Sequence, residues 1–205
     1  MHDSVGLGVA GVNLRPGDHV CAFYRGQAER DQILMSYMRE GIAARDKVIC
    51  VVETVGAPEV VGALGPAAGE AIGSGALDVL TPEQTYLLTG HFDMTEMLAY
   101  WREGVELALA DPRFGFVRVI GEMPNALTDT PDMDEFLFYE SELNRFVTQH
   151  PQVIVCLYDL DRFGGALLID VLRTHPLVLL GGAVFDNPYY VEPDDFLAAR
   201  RLAMS

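Results

Sequence analysis

Short apolar runs alternate with longer amphipathic stretches along most of the chain. Each run is too short for a helix and is apolar on both faces, which is typical of a buried strand in a parallel sheet. The runs are 19–24 (HVCAFY), 47–52 (KVICVV), 76–80 (ALDVL), 116–121 (FVRVIG), 153–158 (VIVCLY) and 177–180 (LVLL). The pattern therefore predicts six strands.

The stretches between these runs carry apolar residues three and four positions apart, the spacing of a helix with one face against a core. Helices are predicted over 27–44, 58–64, 93–110, 130–149, 165–173 and 193–201, with loose turns over 65–75. Asp93 and Glu96 form a capping box, and Thr130-Pro131 supplies an N-cap. Strands that alternate with helices predict an α/β fold with a mostly parallel, doubly wound sheet.

The length and the cysteines limit the organisation of the chain. A chain of 205 residues fits one domain with a large core. We expect residues 1–16, which are weakly patterned, to be a mobile lead-in and residues 17–205 to form that domain. The 3 cysteines are widely spaced and odd in number, which favours reduced, buried thiols over disulfides.

The charge excludes several classes of function. The formal net charge is -16 at pH 7, with only 14 Lys and Arg, so direct binding of nucleic acid or of an anionic membrane is not expected. No signal-peptide pattern opens the chain, and no apolar run has the length of a membrane span. We therefore expect a soluble, cytoplasmic protein.

Polar and aromatic residues collect where the predicted strands end. The carboxyl ends of parallel strands meet at one edge of a sheet, which is the usual ligand site of an open α/β fold. The Gly-Lys-Ser/Thr ending of a phosphate-binding loop is absent after the first strand. The residues expected to bind a ligand at this edge are Tyr24, Arg25, Glu122, Tyr158 and Asp159, with Tyr189 and Tyr190 from the later turn.

Three groups of polar residues allow interpretations other than the binding of a small ligand. Glu122 stands where nucleotide-hydrolysing α/β proteins place a catalytic or metal-binding carboxylate, which allows a divergent ATPase. Asp159 and Asp161 either bind a metal or, more commonly, cap the next helix. Glu140 and Asn144 are one helical turn apart and either line the same edge or face solvent.

His19 and Cys21 allow a metal or thiol sensor. They lie two apart on the first strand, so their side chains share a face. Imidazole and thiolate are ligands of soft metals, and His91 or His175 would complete such a site. No Cys-x-x-Cys motif accompanies them, and packing is the commoner role of a buried free cysteine. The sequence favours a structural role for both residues.

Several segments, taken in order, are similar to one known family. They are GDHVCAFY, KVICVV, GHFD, VRVIGEM, YESELNRF, VIVCLYDLDRF, LRTHPLVLLGG and NPYYVEP. This set, which covers residues 17–195, resembles the MEDS domain, the methanogen/methylotroph DcmR-type sensory domain. The resemblance implies a RecA/KaiC-like three-layer αβα sandwich whose nucleotide-binding loop has decayed. It also implies a sensory role, with small hydrocarbon derivatives proposed as ligands for some members.

These observations together predict a non-catalytic sensory domain that binds a small ligand and needs no cofactor. In the family this domain is commonly joined to a DNA-binding, kinase or anti-sigma output module, whereas we expect this domain to stand alone, without such a region after Ser205. We therefore expect the chain to regulate a protein partner in a signalling pathway or to act through self-association.

Overall fold

A seven-stranded sheet forms the centre of the computed structural model, which describes residues 4–8, 13–53, 55–87, 90–123 and 133–204. The strands are β1 (Val5–Gly6), β2 (Asn13–Leu14), β3 (His19–Tyr24), β4 (Lys47–Val51), β5 (Leu77–Leu80), β6 (Val117–Glu122), β7 (Gln152–Asp159), β8 (Leu177–Leu180) and β9 (Ala183–Asp186). The sheet order is β5-β4-β6-β7-β3-β8-β9, and β1 and β2 form a separate antiparallel pair. All neighbours in the large sheet are parallel except β8 and β9. The predicted α/β class is confirmed.

Helices cover both faces of the sheet. They are α1 (Gly26–Ala44), α2 (Ala57–Leu64), α3 (Pro66–Gly73), α4 (Met94–Ala110), α5 (Met133–Val147), α6 (Gly165–Thr174) and α7 (Pro193–Met204), with a 3-10 turn at Pro82–Gln84. The first three helices share one apolar core with the sheet, and α4, α5 and α6 share the core on the other face. None of the described helices has both the length and the apolar character that crossing a bilayer requires.

Alternation along β3 decides which core each of its side chains enters. Val20, Ala22 and Tyr24 belong to the core under α1, whereas Cys21 and Phe23 belong to the core under α4 and α5. Successive side chains of a strand point to opposite faces of the sheet, so this division follows from the extended backbone. Residues that meet at the same edge can therefore still be separated by the sheet.

The described part of the predicted lead-in packs on the core under α1. Val5, Leu7 and Leu14 are all buried there. The carbonyl of Gly6 accepts a hydrogen bond from Arg118 Nη1 at 2.6 Å. Arg118 Nε donates to Asp46 Oδ2 at 2.7 Å, so its buried charge is paired with Asp46.

Two elements differ from the sequence-based expectation. Helix α3 occupies most of the stretch expected to be loose turns, because Pro66 stands at its first position, where proline costs no hydrogen bond. Strand β9 was not predicted, because this edge strand has only 4 residues, none of them fully buried, and its apolar run is therefore short. The predicted cap at Thr130-Pro131 lies outside the described residues, and α5 is described from Met133.

Candidate functional site

The connection between β3 and α1 is a single residue. β3 ends at Tyr24, and α1 begins at Gly26, whose φ is +65°. Arg25 between them is exposed, and its backbone N–H donates to Glu29 Oε2 at 2.7 Å. A phosphate-binding loop needs several consecutive residues to enclose its ligand with backbone N–H groups. The chain has no room for such a loop at this place.

Tyr24 and Arg30 hold the carboxylate of Glu122 under α1. The Tyr24 hydroxyl donates to Glu122 Oε1, and Arg30 Nη1 lies 3.8 Å from the same oxygen. All three residues are buried. Burial, and then the hydrogen bond to Glu122, raise the pKa of Tyr24. Glu122 Oε2 is buried and has no hydrogen-bond partner within the described ranges.

A cavity of about 270 Å³ opens at the carboxyl ends of β3 and β8, and we call it the edge cavity. It is lined by Phe23, Glu29, Gln32, Ile33, Leu179, Gly181 and Gly182. Phe23, Ile33 and Leu179 supply apolar walls, whereas Glu29 and Gln32 supply polar groups on α1. This mixture is typical of a site for a small organic molecule.

Tyr158 lies on the other face of the sheet from Tyr24. Its ring contacts Phe23 at 6.1 Å and Phe163 at 6.3 Å between centroids. Its hydroxyl is buried and has no hydrogen-bond partner in the described part of the chain. The sheet therefore separates two tyrosines that were predicted to share a crevice.

Asp159 closes the turn after β7. Its Oδ1 accepts from the backbone N–H of Asp161 at 2.9 Å, and its Oδ2 lies 3.3 Å from Arg162 Nε. The N-cap residue of α6 is Gly164, so Asp159 does not cap that helix. Asp159 lies at the carboxyl edge, and its contacts stabilise the local turn.

Tyr189 and Tyr190 lie at the opposite edge of the sheet. β9 runs antiparallel to β8, and its last residue, Asp186, pairs with Leu177 at the amino end of β8. Tyr189 is 67% exposed, and the Tyr190 hydroxyl donates to Glu192 Oε2 at 3.4 Å. The structure brings Tyr24 and Glu122 together and leaves this pair of tyrosines apart from them.

Four buried side chains converge beneath α5, and we call them the His19 cluster: His19, Glu140, Cys156 and His175. His19 Nε2 lies 3.3 Å from Cys156 Sγ and 3.5 Å from Glu140 Oε2. His175 Nε2 lies 3.2 Å from the same Glu140 oxygen, but this contact is not aligned as a hydrogen bond. One potential ligand atom from each of the four lies within 4.8 Å of all the others.

The His19 cluster differs from the set of metal ligands that the sequence suggested, which was His19 and Cys21 with His91 or His175. Cys21 lies outside it, and its Sγ donates to the carbonyl of Leu177 at 3.5 Å. Cys156 and Glu140 take part instead, and Glu140 neither lines the edge nor faces solvent. The pairing of β3 with β7 explains why Cys156 takes part. Cys156 is opposite Cys21 in this pairing, and the side chain of Cys156 contacts His19. The separation of Glu140 and Asn144 by one turn was the sequence signal that marked these two polar residues of α5 as candidates for a site.

Burial governs the protonation of the cluster. Burial, and then the neighbouring His175, lower the pKa of His19. Burial raises the pKa of Cys156, and Glu140 adds to this effect. Burial also acts to raise the pKa of Glu140, but the contacts with His175 and His19 outweigh it and lower that pKa to about 2.

A wider groove of about 380 Å³ lies between α4 and the strands β4 and β5. Four of its charged side chains already pair with one another. Lys47 Nζ is 2.6 Å from Asp78 Oδ2, and Arg113 Nη2 is 2.7 Å from Asp111 Oδ2. A charged ligand in this groove would compete with contacts that are already made.

Solved structures share this architecture. The flagellar accessory protein FlaH from Methanocaldococcus jannaschii superposes with a TM-score of 0.58 at 10% identity, over 93% of this chain and 91% of that chain. A KaiC-like protein from the hyperthermophilic archaeon Pyrococcus horikoshii gives a TM-score of 0.59 at 11% identity, over 85% of this chain and 78% of that chain. The fold is therefore a RecA/KaiC-like three-layer αβα sandwich.

Sequence comparison identifies the family. No curated protein gives a significant match. The model of MEDS, the methanogen/methylotroph DcmR sensory domain, matches residues 18–176, which include β3, α1 and the whole His19 cluster. The chain therefore belongs to the MEDS family of sensory domains.

Proposed function

We propose that the chain is a non-catalytic sensory domain that binds a small molecule in the edge cavity and thereby regulates a protein partner. Membership of a sensory family supports the general role. The observation that carries the proposal is the position of the edge cavity, at the carboxyl ends of β3 and β8 beside the start of α1. In open α/β sheets ligands bind at this edge.

The lining of the edge cavity favours a small neutral or cationic ligand. A volume of about 270 Å³ is below the range of typical drug-sized sites, so the ligand has few heavy atoms. Phe23, Ile33 and Leu179 would contact its apolar part. The carboxylate of Glu29 would accept a hydrogen bond from it and would repel an anion.

The turn between β8 and β9 links the cavity to an exposed surface. Gly181 and Gly182 form this turn with φ values of +59° and +80°, and both line the cavity. On the same hairpin Leu180 is 48% exposed and Phe185 is 55% exposed. A ligand that favours one arrangement of the turn would shift these side chains, to the extent of its preference. The hairpin would then present a changed surface to the partner.

The geometry at the end of β3 disfavours the alternative of a divergent ATPase. The connection after β3 is one residue long, and Tyr24 and Arg30 already contact the Glu122 carboxylate. An activated water or Mg²⁺ would have to displace the Tyr24 hydroxyl from that carboxylate.

The test is a thermal-shift screen of the full chain with short-chain alcohols, aldehydes, amines, carboxylates, halogenated hydrocarbons and Mg-nucleotides. We expect a neutral or cationic small organic class to raise the Tm, because a ligand that binds only the folded state stabilises it. Ile33→Trp should abolish the shift by filling the cavity. Ile169→Trp is the matched control, because Ile169 is 60% exposed on α6 and should leave the shift unchanged.

Two outcomes would overturn the proposal. One is that no compound shifts the Tm. The other is a shift that survives Ile33→Trp, since the ligand would then bind elsewhere. A shift by Mg-nucleotides with turnover that Glu122→Gln abolishes would favour the ATPase instead.

A further inference from the structure

The hydrogen bonds around the His19 cluster determine which ring nitrogens carry hydrogens. Asn144 Nδ2 donates to the carbonyls of Thr174 at 2.7 Å and Ser141 at 3.1 Å. The amide is thereby oriented with Oδ1 towards His19 Nδ1, at 3.1 Å. An amide oxygen only accepts hydrogen bonds, so Nδ1 of His19 carries a hydrogen.

The same reasoning applies to the second histidine. His175 Nδ1 lies 2.8 Å from the carbonyl of Val171, which is also only an acceptor. In a neutral His175 the hydrogen is therefore on Nδ1, and Nε2 carries a lone pair and lies 3.2 Å from Glu140 Oε2. His175 Nε2 and Glu140 Oε2 have no hydrogen-bond partner among the described residues.

Several acceptors thus face one another in the buried interior. The two Nε2 lone pairs and the carboxylate of Glu140 converge on the thiol of Cys156, whose S–H can donate to His19 Nε2 at 3.3 Å, and all four residues are buried. His175 Nε2 and Glu140 Oε2 have no donor among the described residues. A buried acceptor without a donor costs free energy, and a cation at the centre of the cluster would remove that cost. Histidine metal ligands usually donate their other ring N–H to a carbonyl or carboxylate, as both rings do here towards oxygen acceptors.

We propose that His19, Glu140, Cys156 and His175 form a binding site for a divalent transition metal ion of the zinc class. Two neutral imidazoles, one carboxylate and one thiolate carry two negative charges, which a divalent ion neutralises. Zinc prefers this mixture of nitrogen, sulfur and oxygen ligands in tetrahedral geometry. The thiol proton of Cys156 is released when the ion binds.

The distances fit a tetrahedral site. Zinc bonds of about 2.0–2.3 Å place neighbouring ligand atoms roughly 3.3–3.8 Å apart. The contacts of 3.2, 3.3 and 3.5 Å are close to this range, and the upper limit of 4.8 Å requires only small side-chain rotations. Asn144, which contacts His19, also lines an open groove of about 390 Å³.

The site consists of residues other than those that line the edge cavity, and its test does not depend on that cavity. The untagged full chain, purified without chelators, should contain about one equivalent of metal by elemental analysis. Unfolding with a chelator and refolding with Co²⁺ should give a thiolate-to-cobalt charge-transfer band. Cys156→Ser should abolish the band, and His175→Gln should weaken metal binding at least tenfold. Cys21→Ser and His150→Gln are the matched controls and should retain metal and band.

A milder variant keeps the test decisive if the ligand variants do not fold. Asn144→Ala leaves all four proposed ligands in place and should weaken metal binding about 10–100-fold, because it releases the His19 ring. The rival arrangement is a metal-free ion pair of protonated His175 with Glu140. Folded protein that neither contains metal nor takes it up on refolding would establish the rival and overturn the proposal. A cobalt band that survives Cys156→Ser would also overturn it.

Discussion

At the scale of single residues, Tyr24 is the hydrogen-bond donor to the buried Glu122 carboxylate. The two are 98 positions apart in sequence, and β7 lies between their strands in the sheet. Because Tyr24 and Arg30 both contact one oxygen of Glu122, the hydroxyl is a structural partner of this carboxylate.

Tyr24→Phe should therefore lower stability without a change of fold. It leaves the buried carboxylate with the 3.8 Å contact to Arg30 Nη1 and without its hydroxyl donor, so we expect a loss of about 1–3 kcal/mol in the free energy of unfolding. Urea denaturation measures this loss. Tyr189→Phe, at a largely exposed position, should change stability by less than about 0.5 kcal/mol. Equal effects of the two variants would contradict the assigned role of Tyr24.

The sequence located single residues better than it located their contacts. Tyr24, Glu122 and Asp159 were expected at strand ends and are there. Their partners depend on sheet order and on which face each side chain occupies, and neither is encoded by local patterns. Glu140 illustrates the limit, because only the packing of α5 on β3 and β7 brings it to the histidines.

At the scale of elements, α1 lies close to the sheet because Gly41 has no side chain. A Cβ at this position would lie 2.3 Å from Val48 Cγ2 and 3.1 Å from Arg118 Cδ. The helix therefore approaches β4 closely while covering the buried Arg118 and Asp46 pair.

Gly41→Ala should destabilise the protein by about 1–3 kcal/mol, because the added methyl group overpacks this contact. Alanine is intrinsically the better helix former, so Gly104→Ala in α4, where a Cβ meets nothing within 4 Å, is the informative control. That variant should stabilise the protein by about 0.5–1 kcal/mol. Thermal unfolding of the two variants shows whether each substitution lowers or raises the stability. Stabilisation by Gly41→Ala would show that α1 can move away from β4.

Element boundaries followed local patterns where those patterns were strong. β3 and β8 were predicted to the residue, since both are short apolar runs between polar turns. Helix α3 and strand β9 were missed, because α3 is built from Ala and Gly and β9 is an exposed edge. Tyr189 and Tyr190 lie at the amino edge of the sheet because β9, which precedes them, runs antiparallel to β8.

At the scale of the whole molecule, most tyrosines are held protonated by the fold. Burial is the main cause that raises the pKa of seven of the 8 tyrosines: Tyr24, Tyr37, Tyr86, Tyr100, Tyr139, Tyr158 and Tyr190. For Tyr190 the pKa rises to about 12. Burial on either side of the sheet therefore opposes ionisation of the tyrosine hydroxyls.

Stability should fall as the pH rises above 10. The unfolded chain loses tyrosine protons near the usual pKa of 10.0, whereas the folded chain retains them, so the unfolded state binds fewer protons there and gains relative stability. Tyrosinate absorbance measured against pH should rise later for the native chain than for the chain in concentrated urea. Coincident titration curves would contradict the buried placement of these rings.

The architecture as a whole was accessible from sequence, because alternating runs and short connections leave few topologies for a parallel sheet. The ordered MEDS-like motifs added the family, which the match over residues 18–176 confirms. Neither the local patterns nor the family motifs predicted the edge cavity or the His19 cluster, since both form only when strands that are distant in sequence become neighbours.

The ring of Tyr158 lies between those two arrangements. It contacts His175 at 5.7 Å and Phe23 at 6.1 Å, and Phe23 lines the edge cavity. If this ring couples the two sites, thermodynamic reciprocity requires the organic ligand and the metal ion to change each other's affinity by the same factor. The availability of metal would then set the threshold concentration at which the domain responds to its organic ligand, and one domain would integrate two chemical inputs.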